Sequence, residues 1–187
     1  MRPITRSGAL LAATLLVAAC AAERETTCPC PEAGSAALPE ALMLTLSSAR
    51  SLHHQADLLL QTGEVDRAIE TVRSILSLKL ESRWPEAEEV RLDATARLGK
   101  LLLGKGDEKE ALEVVDRELA TGARESFYLS NLHSVRGEIL EARAKRLEAA
   151  GQKEPARQSA RDAIQAFEQS IQINKRLQRQ LLERGRR

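Results

Sequence analysis

Gly63-Glu64-Val65-Asp66-Arg67-Ala68-Ile69-Glu70 (63–70) and Gly106-Asp107-Glu108-Lys109-Glu110-Ala111-Leu112-Glu113 (106–113) are two copies of one pattern. Each begins with a turn glycine and places an alanine five residues later. Seven residues before each glycine stands a small residue, Ala56 in the first copy and Gly99 in the second. Small residues let two helices cross closely, and a glycine closes the turn between them by accepting a left-handed backbone. The pattern therefore predicts helical hairpins repeated along the chain.

The apolar spacing on either side agrees. Leu42, Leu46, Ala49, Leu52, Ala56 and Leu59 recur at steps of three and four, the period of one helix face. A second stripe is Val65, Ala68, Ile69, Val72, Ile75 and Leu76. Trp84-Pro85 opens a third helix, with Glu86, Glu88 and Glu89 suited to its positive N-terminus. Its stripe is Ala87, Val90, Ala94, Leu98 and Leu102, and the fourth is Ala111, Leu112, Val115 and Leu119. The fifth is Tyr128, Leu132, Val135, Ile139, Ala142 and Leu147. The sixth is Ala160, Ala163, Ile164, Phe167 and Ile171, running on through Leu177 and Leu181. No segment alternates with the period of a strand. The expected fold is all-α, with about six helices in antiparallel pairs over about 40–80, 84–122 and 124–187.

The small residue in the first helix, the Gly-Asp type of turn and the alanine after it resemble the tetratricopeptide repeat. The second copy matches best, through Leu98-Gly99, Gly106-Asp107 and Glu110-Ala111-Leu112. The third pair is looser. Gly137 and Leu140 fit its first helix, and Ala163, Ile164, Phe167, Ser170 and Ile171 its second, with an extra stretch through Gly151 and Pro155 between. Glycine spacings of 43 and 45 residues exceed the family period of 34. Either the repeats are long or their helices are lengthened; an unrelated up-down bundle is the other arrangement open to such helices. The resemblance implies a short solenoid whose first helices line a concave groove that binds a peptide or protein segment. Carried over by position, that groove holds Arg50, His53, Asp57, Leu60, Lys100, Leu103, Asn131, Ser134, Glu138 and Glu141. The Lys/Asn set that clamps a C-terminal carboxylate in some members is missing.

The N-terminus reads as an address. Arg2 and Arg6 precede an apolar run from Gly8 to Ala19 that ends at Leu16-Val17-Ala18-Ala19-Cys20. That run is too short to span a bilayer, which takes about 20 residues. It resembles a bacterial lipoprotein signal, which implies cleavage of 1–19, a diacylglycerol on the sulfur of Cys20 and, in many Gram-negative bacteria, a third acyl chain. Ala21 after the cysteine implies outer-membrane sorting. An ordinary secretory signal is the alternative. Residues 20–39 follow as a flexible tether carrying Pro29, Pro31 and Pro39. Cys28 and Cys30 within it are open to several fates: free thiols, pairing with each other, or crosslinking to another chain.

Composition narrows the chemistry. The chain has 187 residues, 28 basic and 27 acidic, with a formal net charge of +1 and only 2% aromatic residues. Neither a basic excess nor stacking aromatics are available for nucleic acid. No phosphate loop, nucleophile elbow, zinc-protease or dinucleotide signature occurs, so no catalytic residue, cofactor or metal is expected. His53 and Asp57 share a helix face but lack further ligands in the sequence. The basic end, Lys175, Arg176, Arg179, Arg184, Arg186 and Arg187, suits a helix C-terminus. With Leu177, Leu181 and Leu182 it also suits a cap or a second chain. The expected function is a lipid-anchored binding or assembly module for an envelope protein. The alternative is a structural envelope lipoprotein working by self-association through the last helix, or by wall contact.

Overall fold

The computed structural model describes residues 39–79 and 83–186. The signal stretch, Cys20, Cys28 and Cys30 lie outside the described residues. Six helices follow in order: α1 (Glu40–Gln61), α2 (Val65–Leu76), α3 (Pro85–Lys105), α4 (Glu108–Leu119), α5 (Phe127–Ala149) and α6 (Lys153–Arg184). No strand occurs among the described residues. α1 packs on α2, α3 on α4 and α5 on α6, while α3 also meets α1, α2 and α5. The result is an all-α stack of antiparallel helix pairs, a short helical solenoid.

The two helices of each pair are joined by one device, used three times. At the end of α3, Gly106 has φ +95°; its N–H donates to the Leu103 carbonyl at 3.0 Å, and the Asp107 N–H donates to that of Leu102 at 2.9 Å. These two bonds satisfy carbonyls that the helix end would leave open. Gly63 and Glu64 make the same pair of bonds to Leu60 and Leu59, and Gly151 and Gln152 make it to Glu148 and Leu147. In each case the residue after the glycine caps the next helix, and its carbonyl accepts from Ala68, Ala111 or Ala156. All three alanines are buried.

Gly151 is thus the third turn glycine, and Gly151 to Ala156 is a third copy of the glycine-to-alanine spacing. This corrects the sequence reading of an intervening stretch around Gly151 and Pro155: the second helix of the third pair starts at Lys153, directly after the turn. The length beyond a 34-residue period lies mainly in the first helices, of 22, 21 and 23 residues, whereas α2 and α4 have 12 each.

The core runs continuously along the stack, from Ala49, Ala56 and Leu59 through Val72, Ile75, Leu92, Leu98 and Leu102 to Val115, Leu132, Val135 and Ile139. Gly99 sits where α3 crosses its neighbours. A Cβ there would lie 2.9 Å from Val115 and 3.3 Å from Val135.

α6 departs from the expected stripe. Its buried positions are Ala156, Ser159, Ala163, Ala166, Ser170 and Ile173, a three-four alternation of almost entirely small side chains. Ile164 and Ile171, expected in the core, are 58% and 50% exposed. The small seam lets α6 lie close along α5, where Ser159 donates to the Leu140 carbonyl at 2.8 Å and Ser130 bonds to Ser170 Oγ at 2.9 Å. Larger side chains in that seam would hold the helices apart.

Charges tie successive pairs together at the surface. Lys105 meets Asp66 at 2.8 Å, Arg136 meets Asp116 at 2.6 Å and Arg146 meets Glu108 at 2.9 Å. Within the second pair, Arg91 of α3 and Glu118 of α4 meet at 2.7 Å and are more enclosed than any of these.

Candidate functional site: a charged groove along the first helices

The first helices of the pairs present a continuous polar strip. Spacing of four on α1 puts His53 and Asp57 on one face, and spacings of four and three on α3 align Asp93, Arg97 and Lys100 opposite them. Arg97 bridges the two helices. Its Nη2 donates to Asp57 Oδ1 at 2.6 Å, and its Nη1 reaches the His53 carbonyl and Nδ1, each at 3.2 Å. His53 Nε2 lies 3.6 Å from Asp93 Oδ2. One turn on, Lys100 meets Glu138 of α5 at 3.4 Å.

Burial holds the His53 imidazole below its ordinary pKa, against the pull of Asp93; Arg97 pushes it further down. The guanidinium also occupies the Asp57 carboxylate, so this His/Asp pair faces a fixed cation where a metal ion would have to sit. Among the described residues no group of three or more His, Cys, Asp or Glu side chains is placed to hold a metal.

Two hollows open along the strip and share Asp57 and Asp93. The first, about 520 Å³, lies between Leu46, Arg50 and His53 of α1, Glu86, Glu89 and Val90 of α3, and Tyr128 of α5. The second, about 430 Å³, is bounded by Leu60, Ala96, Arg97, Lys100 and Asn131. Glu86 is among the residues lining the first hollow, and its Oε2, shielded from solvent, receives no hydrogen bond among the described residues. A larger hollow of about 1140 Å³ lies along α4. There Glu108 is met by Arg146 and Arg143, and Glu113 by Lys109, so its charges are largely matched within the chain.

Of the residues expected in the groove, Arg50, His53, Asp57, Leu60, Lys100 and Asn131 line the two hollows, and Glu138 is tied to Lys100. Three stand elsewhere. Ser134 turns to α6 and bonds to Ser170 Oγ at 2.8 Å. Leu103 is packed against the core. Glu141 is paired with Lys145 one turn along its own helix. The sequence reading missed Asp93, Arg97, Glu86, Glu89 and Tyr128. Counting three and then four residues back from Lys100 would have reached Arg97 and Asp93, because residues at that spacing share its face.

No protein-family model matches the chain, and a search of curated proteins gives no significant match. Among the described residues no helix is long and apolar enough to cross a membrane.

Proposed function

We propose that the chain is a bacterial envelope lipoprotein, anchored through acyl chains on Cys20, whose tetratricopeptide-like pairs dock a segment of another envelope protein. The lipobox-like end at Cys20 supports the anchor, and the thrice-repeated glycine-to-alanine turn supports the repeat kinship. Two acyl chains suffice for stable attachment. Outer-membrane sorting follows from Ala21.

The observation that carries the docking role is the first hollow. Among the described residues Glu86 has a buried oxygen without a donor and Glu89 has no ion pair, beside the apolar surface of Leu46, Val90 and Tyr128. Most carboxylates among the described residues are matched by arginine or lysine, as Asp66, Glu108, Asp116 and Glu118 are. A segment offering a lysine or arginine next to an apolar side chain fits this surface; the cation meets Glu86 and Glu89, and the apolar group covers Val90. The test is crosslinking in cells followed by mass spectrometry, comparing the native chain with Cys20→Ser and with Glu86→Gln/Glu89→Gln. Loss of one dominant envelope protein from both variants supports the reading. An interactor set unchanged by the carboxylate variant overturns it.

A further inference from the structure

The outer face of α6 carries a second three-four stripe. Ile164, Glu168, Ile171, Lys175, Gln178 and Leu182 recur at steps of four and three, and all six are exposed. This is the spacing of a coiled-coil seam, lying beside the inner seam that α5 covers. Glu168 and Lys175 make no side-chain hydrogen bond or ion pair among the described residues, in a molecule where most comparable charges are matched.

We infer that α6 pairs with α6 of a second copy of this chain, antiparallel, about a two-fold axis near residue 173. The stripe is self-complementary in that arrangement. Ile164 falls opposite Leu182 of the second copy, and Ile171 lies on the aliphatic stem of its Lys175. Glu168 comes within reach of the second copy's Lys175, and Arg161 within reach of its Glu183, and the two-fold axis makes each of these contacts twice. A parallel pairing would instead set Glu168 against Glu168 and Lys175 against Lys175. The charge pattern therefore selects both the occupant and its direction.

The seam from Ile164 to Leu182 is about 27 Å long at 1.5 Å per residue. A single helix pair of that length makes a small interface, so the dimer is expected to be weak in solution. Two copies held on one membrane would meet at a much higher effective concentration. This inference stands apart from the groove, since no groove residue takes part in it.

The test is sedimentation equilibrium of the full-length chain in density-matched detergent micelles with reductant present. The native chain is expected to dimerise. Glu168→Lys alone and Lys175→Glu alone should each weaken the dimer tenfold or more. An equimolar mixture of the two variants should restore it as a heterodimer, because positions 168 and 175 then carry opposite charges at both of the symmetric contacts. Both positions are exposed, and circular dichroism of each variant checks that the helices are retained. A native chain that stays monomeric at 100 µM, a dimer indifferent to either reversal, or a mixture that fails to reassociate would each overturn the inference.

Discussion

Gly137 of α5 faces the ring of Phe167 on α6 so closely that a Cβ on the glycine would lie 2.7 Å from two ring carbons. The ring fills the place of a side chain. The long α5–α6 pair is therefore set at its distance by a glycine against an aromatic at one level and by small residues meeting at the others.

Gly137→Ala forces either the ring or the helix to move. The cost should be about 1–3 kcal/mol, the range for overpacking a filled site, even though alanine favours the helix. Gly99→Ala should behave likewise, because its Cβ would meet Val115 at 2.9 Å. Urea unfolding followed by circular dichroism measures both. Gain of stability in either variant would mean that the helices separate freely at that crossing.

How far such contacts could be read beforehand depends on whether the signal is local. The six helices were legible because apolar steps of three and four, punctuated by glycine, need only one segment at a time. Gly99 and Gly137 were legible as small positions in first helices. The third turn was present in the letters too, since Gly151 to Ala156 repeats Gly63 to Ala68. It was hidden because the stripe chosen for the last helix followed its largest apolar residues. Ile164 and Ile171 drew the reading outward, while the true inner seam is Ala156, Ser159, Ala163, Ala166 and Ser170. Small residues carry little hydrophobic signal, yet close packing selects them. The Arg97 bridge depends on which helices become neighbours across 40 residues, and no local pattern encodes that.

Glu118 shows the same limit from the polar side. It stands twelve residues after its turn glycine, the register position that Ile75 holds in the first pair, and it is buried there with its carboxylate on Arg91 Nε at 2.7 Å. Glu118→Ala leaves the guanidinium of Arg91, itself largely enclosed, without its acceptor. The expected loss is about 2–3 kcal/mol, that of an orphaned charged hydrogen bond. Glu118→Gln keeps an acceptor and should lose less. Thermal unfolding of the two variants orders them, and a Glu118→Gln variant as stable as the native chain would show that volume rather than the ion pair holds the site.

Stability should decline on acidification through the histidine range. Burial lowers the pKa of His53 and of His133 in the folded chain; Arg97 and Arg136, respectively, add to it. The unfolded chain then binds protons more readily than the folded one below the ordinary histidine pKa of 6.5. Stability from this source is present above that value and is lost as pH falls from it toward the lowered folded pKa. The double variant His53→Gln/His133→Gln should show a shallower fall of melting temperature between pH 7.5 and pH 5. An unchanged slope would place the acid sensitivity in the carboxylates alone.

The Lys100–Glu138 pair separates recognition from folding. Its side chains are 51% and 42% exposed, so the pair itself contributes at most about 1 kcal/mol. Lys100→Glu/Glu138→Lys rebuilds the same ion pair with its direction reversed. The melting temperature should change little, whereas the groove then shows an acid on α3 where it had a cation and a cation on α5 where it had an acid. A segment held by charge matching along α1, α3 and α5 should bind the exchanged chain at least tenfold more weakly, and crosslinking yield in cells reads that loss. Lys100→Glu alone sets two acids together and should cost both binding and some stability. If the double exchange keeps full crosslinking while Glu86→Gln/Glu89→Gln abolishes it, the bound segment ends within the first hollow and does not extend to α5 at Glu138.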